Sequence, residues 1–195
     1  MNKFSISLWM VALAAVGLAF TNPLGTMVDM EKSTVQWTGK KVTGKHTGSI
    51  KLKEASLKVE KGSLMGGAFV IDMTTLANED LKGEMKGKLE GHLKSPDFFN
   101  VAEFPTANLD ITSVVSRGAP GSYKVIGDLT VKGITKPIKF NVQMAEEDGS
   151  HVATADLVVD RSEYDVRYGS GSFFDNLGDK TIYDEFELSV KLVLK

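Results

Sequence analysis

The chain has 195 residues, with 23 Lys and Arg residues against 25 Asp and Glu residues and a formal net charge of -2. Because the two signs are interspersed, the composition argues against a nucleic-acid-binding protein, which would normally present a basic face. The sequence contains no cysteine, and this excludes a disulfide, a thiolate nucleophile and a cysteine-ligated metal. The length suits a single domain with a substantial hydrophobic core.

The N-terminal segment has the pattern of a secretory signal peptide. Lys3 precedes an apolar run from Phe4 to Phe20, and Gly17-Leu18-Ala19 provides small residues at the positions that signal cleavage requires. We therefore predict a signal peptide over residues 1–19, a short tether over residues 20–32 and a single domain over residues 33–195. The alternative is an uncleaved anchor, since the run is near the lower limit for a membrane span. No later stretch is apolar enough to predict a second span.

Three strands are predicted before the middle of the chain, over residues 33–42, 49–60 and 64–74. Side chains of a strand alternate between two faces, and apolar residues follow this alternation in the first two segments. In the second segment the phase changes near Glu54, which predicts a β-bulge or a break. The third segment is apolar on both faces, as in a strand that is covered on both sides.

One helix is predicted over residues 78–94, because apolar residues there recur every four positions, as Leu81, Met85, Leu89 and Leu93. Asn78 is the predicted N-cap, and Ser95-Pro96 ends the segment. Internal glycines weaken the intrinsic propensity for a helix. We therefore expect this helix to be held by packing over an open end of the sheet.

Two aromatic segments are candidates for the mouth of a cavity. Phe98, Phe99 and Phe104 follow the helix, and their density predicts burial, either as core plugs or as walls of a cavity mouth. Phe173 and Phe174 lie in the mostly irregular stretch 161–184, among glycines. That stretch is interpreted as an ordinary surface loop with anchoring rings or as a flexible lid.

The second half of the chain shows the clearest alternation. A strand is predicted around Ala107–Ile111, and two arms joined by a tight turn are predicted over residues 122–144, where Gly133 provides the reversal. Further strands are predicted over residues 152–160 and 185–195. About eight long antiparallel strands with one inserted helix favour a closed barrel or a two-sheet sandwich. The inner face would be wholly apolar, so any ligand enclosed there would be apolar.

Three segments carry a resemblance to a known family. GDLTVKGITKPIKFNV at 127–142, HLKSPDFFNVAEFPTANL at 92–109 and VVDRSEYDV at 158–166 resemble signatures of the YceI-like family of lipocalin-like polyisoprenoid-binding proteins. The resemblance implies a mainly β protein, an antiparallel eight-stranded lipocalin-like barrel in the periplasm. It also implies a bound polyprenyl lipid or isoprenoid-quinone tail, which the protein carries, stores or protects. One departure is the polar stretch KKVTGKHTGSIKL after the first strand, which leaves the length of the ligand and its access route open.

The candidate ligand-binding residues combine the inward-facing set of the strands with the aromatic residues of the two loops. The alternative for the same residues is a filled core in a non-catalytic structural or stress-response barrel. The candidate set consists of Trp37, Phe69, Ile71, Phe98, Phe99, Phe104, Leu109, Ile111, Val125, Leu129, Val131, Ile138, Phe140, Val142, Leu157, Val159, Phe173, Phe186, Leu188 and Val190.

No catalytic motif is present, so a binding protein rather than an enzyme is predicted. The sequence lacks a nucleophile elbow, a P-loop, a His-Glu-x-x-His pair and a dinucleotide fingerprint. His92, near Glu90 and Asp97, is the best metal candidate, but a hydrogen-bonded residue at a helix end is the favoured interpretation. Arg161, next to Asp160 and near Glu163, is interpreted as part of a structural ion pair or as a contact for a lipid head group. No cofactor is expected, and a homodimer formed on exposed strand edges is left open.

Overall fold

The computed structural model describes residues 26–195, and these form a closed antiparallel barrel of eight strands. Each strand pairs with the next in sequence, and β8 pairs with β1. The strands are β1 Thr26–Lys41, β2 Gly44–Glu60, β3 Ser63–Asn78, β4 Thr106–Ser116, β5 Ser122–Val131, β6 Ile134–Glu147, β7 Ser150–Asp160 and β8 Ile182–Leu194. The barrel prediction is confirmed and the sandwich is excluded. Because the sheet closes, no strand of the described residues has the free edge that a homodimer formed on strand edges would require.

The helix α1, Gly83–Lys94, lies between β3 and β4, and two short 3-10 turns, Arg161–Tyr164 and Gly178–Lys180, lie between β7 and β8. The inserted helix is therefore confirmed, but it begins later than predicted. The segment 161–184 is less irregular than expected, since it contains both 3-10 turns and the start of β8. Among the described residues, no helix has the length and apolarity needed to cross a bilayer.

The first strand begins at Thr26, so the prediction that residues 26–32 form a tether is wrong. Val28 pairs with Leu194 of β8, and its side chain is buried. The register with β8 shifts between Asp29 and Thr34. This irregularity breaks the alternation and hides the strand from an analysis of periodicity. The predicted signal peptide and residues 20–25 lie outside the described residues.

Asn78 ends β3 and does not cap the helix, contrary to the prediction. Its side chain is fully buried, its Nδ2 donates to the Thr47 carbonyl oxygen at 3.0 Å, and its Oδ1 accepts from the Leu81 N–H at 2.9 Å. The residue that precedes α1 is Lys82. The amide that would cap a helix therefore closes the turn between β3 and α1, and β3 is longer than the predicted strand. The predicted slip in β2 is confirmed, because the register with β3 shifts between Leu52 and Glu54.

The β5–β6 hairpin follows its predicted parity, with Tyr123, Val125 and Leu129 buried. Lys132 and Gly133 both have positive φ, as in the tight turns that suit the twist of a hairpin. Gly127 permits a close approach, since a Cβ there would lie 2.9 Å from Cδ1 of Leu109. The bare backbone of β5 thus leaves space that a β4 side chain fills.

The two ends of the barrel differ. At the helix end lie α1, the β1–β2 and β5–β6 turns and the connection 161–181. At the terminal end lie the β2–β3, β4–β5 and β6–β7 turns and the last residues of β8. A cluster of buried residues occupies each end, one around Leu57, Leu64 and Leu192 and one around Val35, Met73 and Tyr164. The space between these clusters positions the candidate site.

Candidate ligand-binding cavities

Residues 26–195 enclose two apolar cavities in the barrel interior. The terminal cavity, on the side of Leu57 and Leu192, has a volume of about 90 Å³, and the helix-end cavity, on the side of Trp37 and Phe98, has about 130 Å³. Both are lined by the same four residues, Val35, Ile71, Leu129 and Leu188. These four side chains therefore separate two adjacent spaces along the barrel. A completely filled core, the alternative interpretation, does not match this interior.

Fifteen of the twenty candidate residues line at least one cavity. Their contact with a ligand remains a prediction, but the structure brings them to one interior. The residues at the terminal cavity are Phe69, Ile71, Leu109, Ile111, Leu129, Phe140, Val142, Leu157, Leu188 and Val190. Those at the helix-end cavity are Trp37, Phe98, Phe99, Val131 and Phe186, with Ile71, Leu129 and Leu188 again.

The other five candidates lie away from both cavities. Val125 and Val159 are buried within the clusters at the terminal end and the helix end, respectively, and Ile138 packs against the second of these clusters. Phe104 lies under the β5–β6 turn, where a Cβ on Gly133 would be 3.2 Å from its ring. Phe173 is exposed on the 161–181 connection, because its ring packs against the Arg167 guanidinium and not into the barrel.

The candidate set omitted several lining residues. Ala153 and Ala155 share the parity of Leu157 on β7 and line the terminal cavity, so the alternation offered a signal that was obscured by their small size. Ile182 and Tyr183 line the helix-end cavity from the first residues of β8. No periodic signal marks these two, since they follow an irregular connection.

The comparisons with known proteins decide the family. The profile described as the YceI-like domain matches residues 27–194, nearly the whole described part of the chain. The chain belongs to the YceI-like family. Similar curated relatives include a UPF0312 protein of Photorhabdus laumondii, 41% identical over 56 residues, and one of Yersinia pestis strain Pestoides F, 47% identical over 53 residues. These alignments span 29% and 27% of this chain and 28% and 27% of the relatives.

Solved structures of low identity share the YceI-like fold. BcnA of Burkholderia cenocepacia has a TM-score of 0.70 at 23% identity, and the match covers 86% of this chain and 99% of BcnA. A polyisoprenoid binding domain from Saccharophagus degradans has a TM-score of 0.62 at 13% identity, with 89% and 99% covered. The YCEI protein of Campylobacter jejuni has a TM-score of 0.54 at 13% identity, with 97% and 99% covered. These likenesses support the fold of the barrel.

Trp37 lines the helix-end cavity of this YceI-like barrel, and Gly48 lies behind its ring. The Trp37 Nε1–H donates to the Ala77 carbonyl oxygen at 3.1 Å. Gly48 lies directly behind the ring, since a Cβ there would be 2.7 Å from the indole and 1.9 Å from the Ala77 oxygen. The absence of a side chain at residue 48 therefore permits both the strand pairing and the position of the indole.

Arg161 is buried beside the helix-end cavity and fastens the connection 161–181 to β8. Its guanidinium donates to the carbonyl oxygens of Val166 at 2.7 Å, Ile182 at 3.0 Å and Tyr183 at 3.2 Å. Its Nη2 also lies 3.2 Å from Asp184 Oδ1, so the structural ion pair exists, but with Asp184 and with neither Asp160 nor Glu163. Burial lowers the pKa of Arg161, and the nearby carboxylates oppose this effect.

One predicted partner of Arg161, Asp160, has another role in the structure. Its side chain accepts hydrogen bonds from the Ser162 N–H at 2.8 Å and the Ser162 hydroxyl at 2.6 Å, at the start of the 3-10 turn. This short-range capping explains why proximity in sequence to Arg161 was misleading. Tyr164, in the same turn, is buried, and its hydroxyl has no protein partner. Burial, with Glu163 and Asp160 nearby, raises the pKa of Tyr164 to about 12.

His92 lies in the last turn of α1, as predicted, and its carbonyl oxygen accepts from the Ser95 hydroxyl at 2.8 Å, while its ring packs among aromatic rings. Its ring centroid lies 4.3 Å from that of Tyr168 and 5.7 Å from that of Phe98, both in edge-to-face geometry. Its Nε2 is buried without a partner, because the neighbours on this face are rings. Within residues 26–195, no cluster of three or more His, Asp or Glu side chains is placed to hold a metal ion.

A separate polar cluster joins the β1–β2 turn to the chain beyond β3. Asp80 accepts hydrogen bonds from the Thr47 N–H at 2.8 Å and from Asn78, and it lies 2.8 Å from Nδ1 of His46. Burial alone would raise the pKa of Asp80, but these hydrogen bonds and the charge of His46 lower it to about 2. The cluster links the start of β2 to the segment between β3 and α1.

Proposed function

We propose that the protein binds an apolar isoprenoid lipid inside its barrel, as a binding protein and not as an enzyme. The observation that carries the proposal is the pair of adjacent apolar cavities separated by four shared side chains. A known polyisoprenoid binding domain with the same fold supports it. The ligand class is a polyprenyl lipid or an isoprenoid quinone, held by the protein as a carrier, store or protector.

The energetics of an apolar cavity suit this class of ligand. Each buried CH2 group contributes about 0.8 kcal/mol, so a few isoprene units provide micromolar affinity after the cost of ordering the chain. A cavity of about 150 Å³ holds one benzene molecule, so the helix-end cavity of about 130 Å³ holds about one isoprene unit and the terminal cavity of about 90 Å³ holds less than one. A longer tail then requires either movement of the shared side chains or a part that remains outside the barrel.

We further propose that the protein acts in the periplasm, after cleavage of the N-terminal signal. Support comes from the charged residue, the apolar run and the small residues before position 20. Cell fractionation tests the compartment, and the mass of the secreted protein gives its first residue. Recovery of the full-length chain in the membrane fraction would contradict the proposal and favour an anchor.

Extraction of the purified protein with an organic solvent tests the ligand directly. Mass spectrometry is expected to show a molecule with repeated isoprene units, and its head group separates a quinone from a polyprenyl lipid. Titration of ligand-free protein with geraniol, farnesol and geranylgeraniol then measures how affinity grows with chain length. An extract without a prenyl compound, together with no binding of any of these prenols, would contradict the proposed function.

A further inference from the structure

Four exposed aromatic side chains lie at the helix end of the barrel. We call Tyr168, Phe173, Phe174 and Tyr183 the aromatic rim, and each of them is at least 40% exposed. Exposed apolar residues scattered one by one are ordinary, but a contiguous group marks an interaction site or a lipid-facing surface. The interpretation of the rim as an interaction surface therefore depends on whether its side chains form one contiguous group.

Backbone hydrogen bonds gather the rim into one surface. The Ile182 N–H donates to the Gly169 carbonyl oxygen at 2.8 Å, which holds the connection 161–181 against the start of β8. The Val42 N–H donates to the Thr181 carbonyl oxygen at 3.1 Å, so the exposed Val42 adjoins the same segment.

The helix α1 extends this surface on its other side. The Tyr168 ring lies 4.3 Å from the ring of His92 in α1, measured between centroids. The exposed Met85 precedes His92 by two helical turns and therefore lies on the same helix face. The rim, the turn after β1 and this face of α1 are thus neighbours.

The rim adjoins the helix-end cavity at the start of β8. Ile182 and Tyr183 are consecutive lining residues of that cavity, and the half-exposed Tyr183 side chain points outward from the strand, into the rim. A ligand that leaves the cavity beside Tyr183 emerges among exposed rings. For an apolar ligand, the surroundings that favour this passage are lipid and not water.

The chemistry of the rim suits the interface between lipid and water. Tyrosine side chains favour the head-group level, and phenylalanine side chains insert below it. The Arg167 guanidinium lies 5.0 Å from the centre of the Phe173 ring, but its Nε is paired with Asp165 Oδ1 at 2.5 Å, so it provides no free cation for the head groups. Lys180 is opposed by Asp175 and Asp179 in the same segment, so the attachment relies on the rings more than on charge.

We propose that the aromatic rim docks the barrel on the surface of a lipid bilayer, with the helix-end cavity facing the membrane from which the ligand is taken. This inference rests on the proposed function, because it concerns how a bilayer-resident lipid reaches the cavity. The occupant of the rim is the bilayer itself. A protein partner or a second copy of the chain is the competing outcome of the test.

The test compares two double variants of residues 20–195, which contain all eight strands of the closed barrel. Phe173→Ser/Phe174→Ser removes two rim rings, and Met65→Ser/Val115→Ser removes two equally exposed apolar side chains at the terminal end. Flotation with vesicles of phosphatidylethanolamine and phosphatidylglycerol measures docking. The parent and the terminal-end variant are expected to float. The vesicle-bound fraction of the rim variant is expected to be about tenfold lower than that of the parent.

Two further measurements separate docking from binding. Transfer of a fluorescent prenol from vesicles is expected to slow about tenfold in the rim variant, whereas its affinity for geraniol in solution stays at the parental value. A parent that does not float, or a rim variant that floats like the terminal-end variant, overturns the docking proposal. Self-association that disappears in the rim variant, measured by light scattering, also overturns it. A parent that floats but binds no geraniol contradicts the proposed function alone.

Discussion

Replacing Ala155 by leucine distinguishes a hollow barrel from a filled one. Ala155 points inward from β7 and lines the terminal cavity of about 90 Å³. Leucine adds three carbons, each worth up to about 0.8 kcal/mol when buried, so the free energy of unfolding of the ligand-free protein is expected to stay unchanged or to rise by up to about 2 kcal/mol. In a filled core, the same enlargement costs about 1–3 kcal/mol.

The same substitution is expected to weaken ligand binding, because the leucine occupies space that an isoprene unit would fill. A loss of about 2 kcal/mol corresponds to a rise in the Kd for farnesol of about thirtyfold. Urea denaturation and prenol titration measure the two effects. Val158→Leu, at an exposed outward position of the same strand, is the matched control and is expected to change neither. Destabilisation of Ala155→Leu by more than 1 kcal/mol with unchanged farnesol affinity would refute this reasoning.

Three further predictions concern the frame around the cavities. Gly48→Ala places a Cβ 1.9 Å from a backbone oxygen of β3 and is expected to destabilise the protein by at least about 2 kcal/mol in urea denaturation, whereas Gly66→Ala, with open space around it, has little effect. Arg161→Met leaves the largely buried Asp184 carboxylate without its cation and is expected to lower the free energy of unfolding by about 3–5 kcal/mol. The double variant Arg161→Met/Asp184→Leu is expected to recover part of this loss. Equal instability of both variants would argue against the ion pair. The lowered pKa of Asp80 stabilises the fold above pH 4, and this stabilisation is lost as the pH falls from 4 towards 2. Asp80→Asn is therefore expected to flatten this part of the acid-stability curve by about 1 kcal/mol, after allowance for solvent screening. Identical curves for the two proteins would contradict the lowered pKa.

Most of the barrel follows from alternation, because closure demands that every second side chain turn inward. The β5–β6 hairpin illustrates this, since each inward residue of Tyr123, Val125 and Leu129 is buried as its parity predicts. Inward parity does not by itself identify a cavity residue. Val125 and Leu129 share one face of β5, yet Val125 is fully buried in the cluster at the terminal end and lines neither cavity, whereas Leu129 borders both. The difference depends on packing across the barrel, which no local pattern contains.

Two predictions from the sequence are wrong because polar side chains form hydrogen bonds with nearby backbone groups. Asn78 has the chemistry of a helix cap, but its amide is consumed by the Thr47 carbonyl and the Leu81 N–H, and β3 runs on to it. Asp160 is next to Arg161 in sequence and caps a 3-10 turn instead of pairing with it. In both cases a residue type with several suitable partners was assigned the nearest one. Only the three-dimensional contacts distinguish the partner that each side chain binds from the partner that is nearest in sequence.

The hollow interior has an energetic consequence that links the fold to its ligand. At about 24 cal/mol per Å³ of residual cavity, volumes of about 90 and 130 Å³ represent about 5 kcal/mol relative to a filled barrel. Domains of this size have a net stability of only about 5–15 kcal/mol, so the closed ladder and the buried clusters at both ends must offset the empty space. A ligand that fills the cavities restores these contacts in the folded state alone. Binding and folding stability are therefore coupled through the same apolar side chains.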